Sequence, residues 1–217
     1  MYTKHKWDSE TYFNFSYVQY LPKDFDANKK YPLVFFLHGA GERGNDLDVA
    51  MRHGYMKYVR EEGREYPFIF VAPQCPNSKF WGCYTESLLA FLDYICETLP
   101  IDTDRVYLTG LSMGGTGTWM LAMADPSRFA AVAPICGTGI YWNGGMLKHN
   151  PIYVYHGDCD DIVPVTESVN MVKMVNKNGG NAQIEICYGI GHDSWEQAYG
   201  DDRLLNWMLS QNKRSDT

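Results

Sequence analysis

Apolar residues along this chain form short runs that alternate with longer amphipathic segments. Five runs are mostly apolar, a pattern typical of parallel strands covered on both faces; they lie at 33–37, 68–72, 106–109, 129–136 and 152–156. A strand at 13–21 alternates aromatic or aliphatic with polar residues and is predicted to be half exposed at the sheet's entry side. A last strand is predicted at 184–188.

The segments between the predicted strands have helical spacing. They lie at 46–62, 86–99, 112–124, 165–178 and in a terminal region to about residue 211. Gly54 is a weak point of the first, and Pro100 ends the second. Because strands alternate with helices throughout, the chain is predicted to form a mostly parallel central sheet with helices on both faces.

Length and composition favour a single domain spanning 1–217. A chain of 217 residues, 45% of them hydrophobic, can bury one large core. We expect 1–11 and 212–217 to be peripheral tails, because no predicted core element falls there. No segment is long enough for a separate lid domain, so the functional site is expected to be open to solvent and to bulky substrates.

Charge and cysteine usage narrow the function classes. The formal net charge of −7 and the absence of a dense Lys/Arg run argue against nucleic acid or an acidic membrane surface as the main partner. Small molecules and neutral polymers stay possible, and the oligomeric state is left open. Six cysteines lack paired metal-ligand spacing, so reduced, mostly buried thiols are predicted, with a Cys75–Cys83 bridge as the alternative.

The N-terminal residues include basic side chains without a following apolar segment, unlike a signal peptide. No apolar run is long enough to cross a bilayer. We therefore expect a cytoplasmic protein.

The strongest chemical signal is the pattern G-x-S-x-G at Gly110, Ser112 and Gly114. A predicted strand precedes it and a predicted helix follows it, which is the context of a nucleophile elbow. In such an elbow the serine adopts a strained backbone conformation and its hydroxyl is exposed above the sheet edge. The alternative is a glycine-rich strand-to-helix turn in which the serine is incidental.

Two more predicted strands end in residues that could activate a serine. An acidic cluster follows the strand at 152–156, and His192 follows the strand at 184–188. Strand-to-helix loops of a parallel sheet emerge at one edge, so these groups should converge on Ser112. An imidazole can take the serine proton, and a carboxylate can fix its tautomer and stabilise the imidazolium. His192 is therefore predicted to be the general base and then the general acid.

Three aspartates compete for the carboxylate role. The pattern Asp-x-x-Val-Pro favours Asp160; Asp161 is the alternative, and Asp158 is expected to cap or brace the loop. The cluster could instead be a solvated loop before a helix. Calcium binding is not expected, because the spacing does not match an EF-hand loop. No metal or cofactor is predicted.

An oxyanion hole is predicted from two backbone N–H groups. One belongs to Met113, the residue after the serine, at a helix N-terminus. The other belongs to the loop His38-Gly39-Ala40-Gly41 after an internal strand, with Ala40 as the favoured donor. Read alone, this loop could be an ordinary glycine turn.

Taken together, the motifs resemble those of the α/β-hydrolase superfamily, and within it the small carboxylesterases. That group includes the phospholipase/carboxylesterase and acyl-protein thioesterase proteins, dienelactone-hydrolase-like proteins and bacterial esterases labelled predicted peptidases. The resemblance covers residues from about 12 to 209 and is carried by Leu37-His38-Gly39-Ala40-Gly41, Gly110-Leu111-Ser112-Met113-Gly114-Gly115, His156-Gly157-Asp158-Cys159-Asp160 with Val163-Pro164, and Gly191-His192-Asp193-Ser194-Trp195.

The resemblance implies an α/β-hydrolase fold and a catalytic triad at Ser112, Asp160 and His192, in the chain order of that superfamily. Two departures limit it. Dienelactone hydrolases use a cysteine where this chain has Ser112, and prolyl-peptidase relatives carry a propeller domain that a chain of this length cannot include.

Aromatic residues in the loops near Ser112 suggest the substrate. Flat rings suit an aryl acyl group or a sugar. We expect a serine carboxylesterase acting on short-chain or aryl esters, with acetyl or feruloyl esters of plant saccharides as candidates. A peptidase, amidase or acyl-thioesterase with the same triad is the alternative, and a non-catalytic binding protein is disfavoured. The expected pocket residues are Trp81, Tyr84, Tyr141, Trp142 and Trp195, with core packing as the other explanation.

Overall fold

The computed structural model describes residues 1–213, and its eight strands belong to one sheet in the order β1-β2-β4-β3-β5-β6-β7-β8. β2 is antiparallel to both of its neighbours, and the pairs from β4 onward are parallel. The strands are β1 Tyr2–Trp7, β2 Phe15–Tyr20, β3 Tyr31–Leu37, β4 Ile69–Pro73, β5 Ile101–Leu111, β6 Ala131–Ile135, β7 Pro151–Gly157 and β8 Asn181–Cys187.

Helices cover both faces of this sheet, which confirms the predicted α/β-hydrolase architecture. The helices are α1 Leu47–Ala50, α2 Tyr55–Glu61, α3 Thr85–Thr98, α4 Met113–Ala124, α5 Val165–Lys177, α6 Trp195–Gly200 and α7 Asp202–Leu209. No lid-sized segment is inserted between elements within residues 1–213.

Alternation along the buried strands divides the core into two layers. In β3, Leu33, Phe35 and Leu37 pack on the face covered by α3, α4 and α5. Val34 and Phe36 point to the opposite face, covered by α1, α2, α6 and α7. Because both faces are buried, the strand is continuously apolar, as the sequence pattern indicated.

The edge of the sheet differs from the sequence prediction. Residues 1–11, expected to be a peripheral tail, contain β1, an edge strand whose side chains are exposed except for Trp7. β2, expected to be half exposed, is almost entirely buried, with Tyr17 packing on one face and Val18 on the other. β1 pairs with the edge of β2 that would otherwise be free. The alternation of polar and apolar residues in β2 did not indicate this extra strand. Of the tail predicted at 212–217, residues 214–217 lie outside the described residues.

The helix predicted at 46–62 is two short helices, α1 and α2. Gly54 separates them with a φ of 69°, and a Cβ added there would lie 2.7 Å from the ring of Phe36. The positive φ and this close approach both require glycine, so the helix cannot run through the position. The terminal helical region is likewise divided into α6 and α7.

All six cysteines are free thiols, so Cys75 and Cys83 are not bridged. Within residues 1–213, none of the helices combines the length and the apolar character that a membrane span requires.

Candidate active site

Ser112 lies on a sharp turn between β5 and α4. Its φ of 53° and ψ of −116° place it in a region that non-glycine residues rarely adopt. Its N–H donates to the Ile135 carbonyl at 2.9 Å, and its own carbonyl accepts from Thr116 at 2.9 Å. These bonds hold the strained backbone, so the serine hydroxyl stands beyond the end of the strand.

The turn is possible because neighbouring backbones approach very closely. A Cβ added to Gly114 would collide with the carbonyl oxygen of Leu37 in β3. The loop on the far side is equally tight, because a Cβ at Gly157 would collide with the carbonyl oxygen of Gly191. Glycine is therefore required where α4 crosses β3, and where the end of β7 meets the loop that carries His192.

The structure brings Ser112, His192 and Asp160 into one hydrogen-bonded chain, although they are far apart in sequence. His192 Nε2 lies 2.8 Å from Ser112 Oγ, and His192 Nδ1 lies 2.7 Å from Asp160 Oδ2. With Nδ1 protonated and donating to the carboxylate, Nε2 is free to accept the serine proton. The arrangement can activate the serine as a nucleophile.

Asp160 is buried, yet its surroundings favour the carboxylate form. Burial opposes the charge, but the hydrogen bond from His192 and those from the N–H groups of Val163 and Ile162 outweigh it and hold the Asp160 pKa below its usual value. These two N–H groups donate to Oδ1 at 2.9 and 3.0 Å. Oδ2 is thereby left to face His192.

The other two aspartates of the cluster do not reach His192. Asp158 Oδ1 accepts the N–H of Gly189 at 2.7 Å, so Asp158 braces the two loops, close to its expected role. Asp161, the sequence-based alternative, is exposed. The geometry therefore selects Asp160.

The two expected oxyanion donors each begin a helical turn. Met113 is the first residue of α4, and Ala40 is the first residue of a short 3-10 helix, Ala40–Glu42. The N–H groups at a helix start have no acceptor within their own helix. Neither N–H therefore has a partner within its own helix, as an oxyanion donor requires.

Buried side chains support the Ala40 loop from beneath. His38 Nδ1 donates to the Gly39 carbonyl at 2.7 Å, and its Nε2 accepts the N–H of Cys75 at 3.0 Å. The indole N–H of Trp81 donates to the His38 carbonyl at 2.9 Å. Burial disfavours the charged imidazole and, with the nearby Arg43 guanidinium, lowers the His38 pKa to about 4, although the hydrogen bond to the Gly39 carbonyl opposes this shift.

Two of the five expected pocket residues pack in or against the core and do not face a substrate site. Trp81 is buried and supports the Ala40 loop, which corrects the expectation that its ring faces a substrate. Tyr84 packs against Phe13 and Phe15 at ring distances of 4.4 and 5.9 Å, so it belongs to the core margin. For these two, core packing, the alternative explanation, is correct.

Of the other three expected pocket residues, two are exposed to solvent and one packs beside His192. Tyr141 and Trp142 are exposed and pack edge to face in the loop after β6. The ring of Trp195 lies 5.4 Å from that of His192 and 5.3 Å from that of His53. Trp195 therefore limits the movement of His192.

Sequence reasoning did not single out several polar residues around the site. His156 is fully buried, and its Nε2 lies 3.2 Å from Asp160 Oδ2. His53 lies between two carboxylates, Glu42 next to the Ala40 loop and Glu196 in α6, at 3.7 Å from each. The position of His156 at the end of a buried strand was the available signal; nothing in the sequence pattern marked the second cluster.

One trio among the described residues could reach a common metal ion. Ligand atoms of Cys136, Asp160 and His192 lie within 4.8 Å of one another. Asp160 and His192 are already bonded to each other, and burial raises the pKa of the Cys136 thiol to about 12, which keeps it protonated. The trio is thus poorly suited to a metal, which requires a thiolate.

Comparison with known proteins adds independent information. The sequence matches the family model described as "Putative esterase" over residues 14–194. It is 33% identical over 168 residues to the probable feruloyl esterase C of Aspergillus terreus, covering 75% of this chain and 62% of that protein. It is 30% identical over 202 residues to the corresponding Aspergillus niger protein, covering 88% and 73%.

Solved structures agree with this fold. A thermostable esterase is 33% identical, with a TM-score of 0.87 over 97% of this chain and 63% of that chain. A ferulic acid esterase of Anaeromyces mucronatus in complex with ferulic acid is 17% identical and shares the fold, with a TM-score of 0.72 over 97% and 90% of the two chains. The chain spans a little under two thirds of the Aspergillus terreus protein and of the thermostable esterase, at 62% and 63% of their lengths.

Proposed function

Because the chain belongs to the Esterase family, we propose that it is a serine carboxylesterase that works through an acyl-enzyme intermediate on Ser112. The observation that carries the proposal is the continuous hydrogen-bonded chain from Asp160 through His192 to Ser112, with distances of 2.7 and 2.8 Å. It ends on a serine in the strained conformation that exposes its hydroxyl.

In the proposed reaction, His192 Nε2 takes the hydroxyl proton as Ser112 Oγ bonds to the ester carbonyl carbon. The carbonyl oxygen becomes an oxyanion and accepts hydrogen bonds from the N–H groups of Ala40 and Met113. The tetrahedral intermediate then expels the alcohol, which receives the proton from His192. Water, deprotonated by the same imidazole, attacks the acyl-enzyme and releases the acid.

The proposed substrates are short-chain or aryl esters, including acetyl or feruloyl esters attached to plant saccharides. Two Aspergillus relatives named probable feruloyl esterase C support the aryl class. The exposed rings of Tyr141 and Trp142, which are 43% and 68% accessible, offer flat faces on which an aromatic acid or a sugar could stack.

Rates of hydrolysis test the proposed activity and its acyl preference together. Acetyl, butyryl and octanoyl esters of p-nitrophenol, together with methyl ferulate, should be cleaved, with kcat/KM lowest for the octanoyl ester. A fluorophosphonate probe should label the wild type and Ser127→Ala, an exposed serine, but not Ser112→Ala. A folded wild type that is neither labelled nor active would overturn the proposal, and a preference for octanoyl esters would overturn the substrate class.

The same triad could cleave amides or thioesters, so the leaving group needs its own comparison. An acetyl anilide and an acetyl thioester, assayed beside the acetyl ester, separate these activities. We expect the ester to have the highest kcat/KM; a preference for the anilide would identify an amidase or peptidase, and a preference for the thioester an acyl-thioesterase.

A further inference from the structure

We propose that His156 is a positioning residue for the reaction: it holds its protonated Nε2 against the carboxylate of Asp160, and so orients the group that acts on His192. The inference rests on the proposed triad, because His156 acts on the reacting atoms only through Asp160 and His192. The imidazole lies near the carboxyl end of β7 and has no exposed surface.

The partners of the His156 ring determine which nitrogen carries the proton. Nε2 lies 2.8 Å from the Val163 carbonyl oxygen and 3.2 Å from Asp160 Oδ2. Both of these atoms are acceptors, so Nε2 must be protonated. Nδ1 lies 2.7 Å from Ser168 Oγ in α5, and in the neutral ring it accepts the hydroxyl proton. The ring is therefore held at both nitrogens.

Asp160 Oδ2 accepts the hydrogen bond of His192 at 2.7 Å, and the Nε2–H of His156, which is hydrogen-bonded to the Val163 carbonyl, lies 3.2 Å from the same oxygen. With Oδ1 occupied by two backbone N–H groups, the carboxylate has little freedom to rotate. The donor from His156 also withdraws negative charge from the oxygen that stabilises the His192 imidazolium. Removing it should make His192 easier to protonate and Asp160 less well oriented.

Three other groups lie near this pair, and the nearest titratable one, a cysteine thiol, is neutral. The Cys136 thiol, just beyond β6, lies close to Asp160 and His192, and its pKa, raised by burial to about 12, keeps it neutral. Asp193, beside His192 in the chain, is exposed. From α5, Ser168 faces His156 and does not ionise.

The experiment compares the acid limb of the pH profile of kcat/KM, measured with p-nitrophenyl acetate, among three variants. Ser168→Ala retains the Nε2 donor and is the control. Adding His156→Phe to Ser168→Ala removes the donor while keeping a ring in the site, and replaces both members of the buried pair by apolar groups. His156→Gln can return an N–H to Asp160 and serves as the conservative rescue.

We expect Ser168→Ala and His156→Gln to retain the wild-type acid limb. The double variant should shift it by about half a unit towards higher pH and lower the plateau of kcat/KM about five-fold, the size of one hydrogen bond. An unshifted limb in a folded double variant would reduce His156 to core packing and overturn the proposal. Wild-type activity that requires Ser112 separates this outcome from failure of the proposed function.

The tautomer can be checked without any substitution, which covers the case in which the double variant does not fold. Nitrogen-detected NMR of the wild type should show His156 protonated at Nε2 between pH 6 and 8. A ring protonated at Nδ1 alone has no proton facing Asp160, and that result would also overturn the proposal.

Discussion

Asp160 is the residue on which the proposed mechanism can be tested most sharply, because a second aspartate follows it directly. Asp160→Asn should lower kcat/KM by about 10³ to 10⁴-fold, since an amide cannot both fix the His192 tautomer and stabilise the imidazolium. Asp161→Asn, at an exposed position, should stay within about two-fold of the wild type. Steady-state kinetics with p-nitrophenyl acetate measure both variants, and equal losses would contradict the selection of Asp160.

At this scale the sequence identified residues with a local signature. Ser112 lies in a five-residue pattern, and Val163-Pro164 marked Asp160. His156 has only its position at the end of a buried strand as a signal, although Asp160 follows four residues later, and His53 has none, because one of its two carboxylates, Glu196, lies in a distant helix. Trp81 and Tyr84 were wrongly assigned to the substrate pocket. An aromatic residue in a loop has the same sequence pattern whether it faces the core or a substrate.

At the scale of elements, the turn between β5 and α4 should tolerate no side chain at Gly114. Gly114→Ala places a methyl group against the Leu37 carbonyl oxygen, backbone that cannot easily move, and should lower the free energy of unfolding by about 3 kcal/mol or more. At Gly41 an added Cβ has no atom within 4 Å, so Gly41→Ala should change stability by less than about 1 kcal/mol. Urea denaturation tests the pair; similar stabilities would contradict the close crossing.

β1 should contribute to stability mainly through one side chain. Trp7 is buried, and its ring lies 5.3 Å from that of Phe91 in α3. Trp7→Ala should lower the free energy of unfolding by about 3 kcal/mol, the lower end for a buried aromatic residue. Tyr2→Ala, at an exposed position of the same strand, should have a much smaller effect. If both variants unfold at the same urea concentration, β1 is not docked through Trp7.

Strands buried on both faces could be predicted from the sequence, whereas the strand at the edge of the sheet and the break between two surface helices could not. β3 and β4 are continuously apolar because helices cover them, and that pattern survives in the sequence. β1 is held by backbone pairing at a sheet edge, which leaves its exposed side chains almost unconstrained. The sequence marked Gly54 as a weak point of one helix but did not predict two helices, because the complete break depends on the approach of Phe36 from another strand.

For the whole molecule, mild acid should act on stability through His38. Its folded-state pKa of about 4 lies below the ordinary value of 6.5, so the unfolded chain takes up the proton first as pH falls. The stabilising contribution is complete above pH 6.5 and declines as pH falls towards 4. Between pH 7 and pH 5 it should decrease by about 2 kcal/mol.

The pH range from 7 to 5 distinguishes the effect of His38 on stability from that of the Asp160 carboxylate. Asp160 has a lowered pKa, so its contribution is lost only at still lower pH, as pH falls through that lowered value. His38→Gln should therefore show a free energy of unfolding that changes about 2 kcal/mol less between pH 7 and pH 5 than that of the wild type, even if it is less stable at pH 7. His149→Gln, at an exposed position, should retain the wild-type slope. Urea titrations at a series of pH values decide this, and an equal slope for His38→Gln and the wild type would mean that the support beneath the Ala40 loop does not depend on a neutral imidazole.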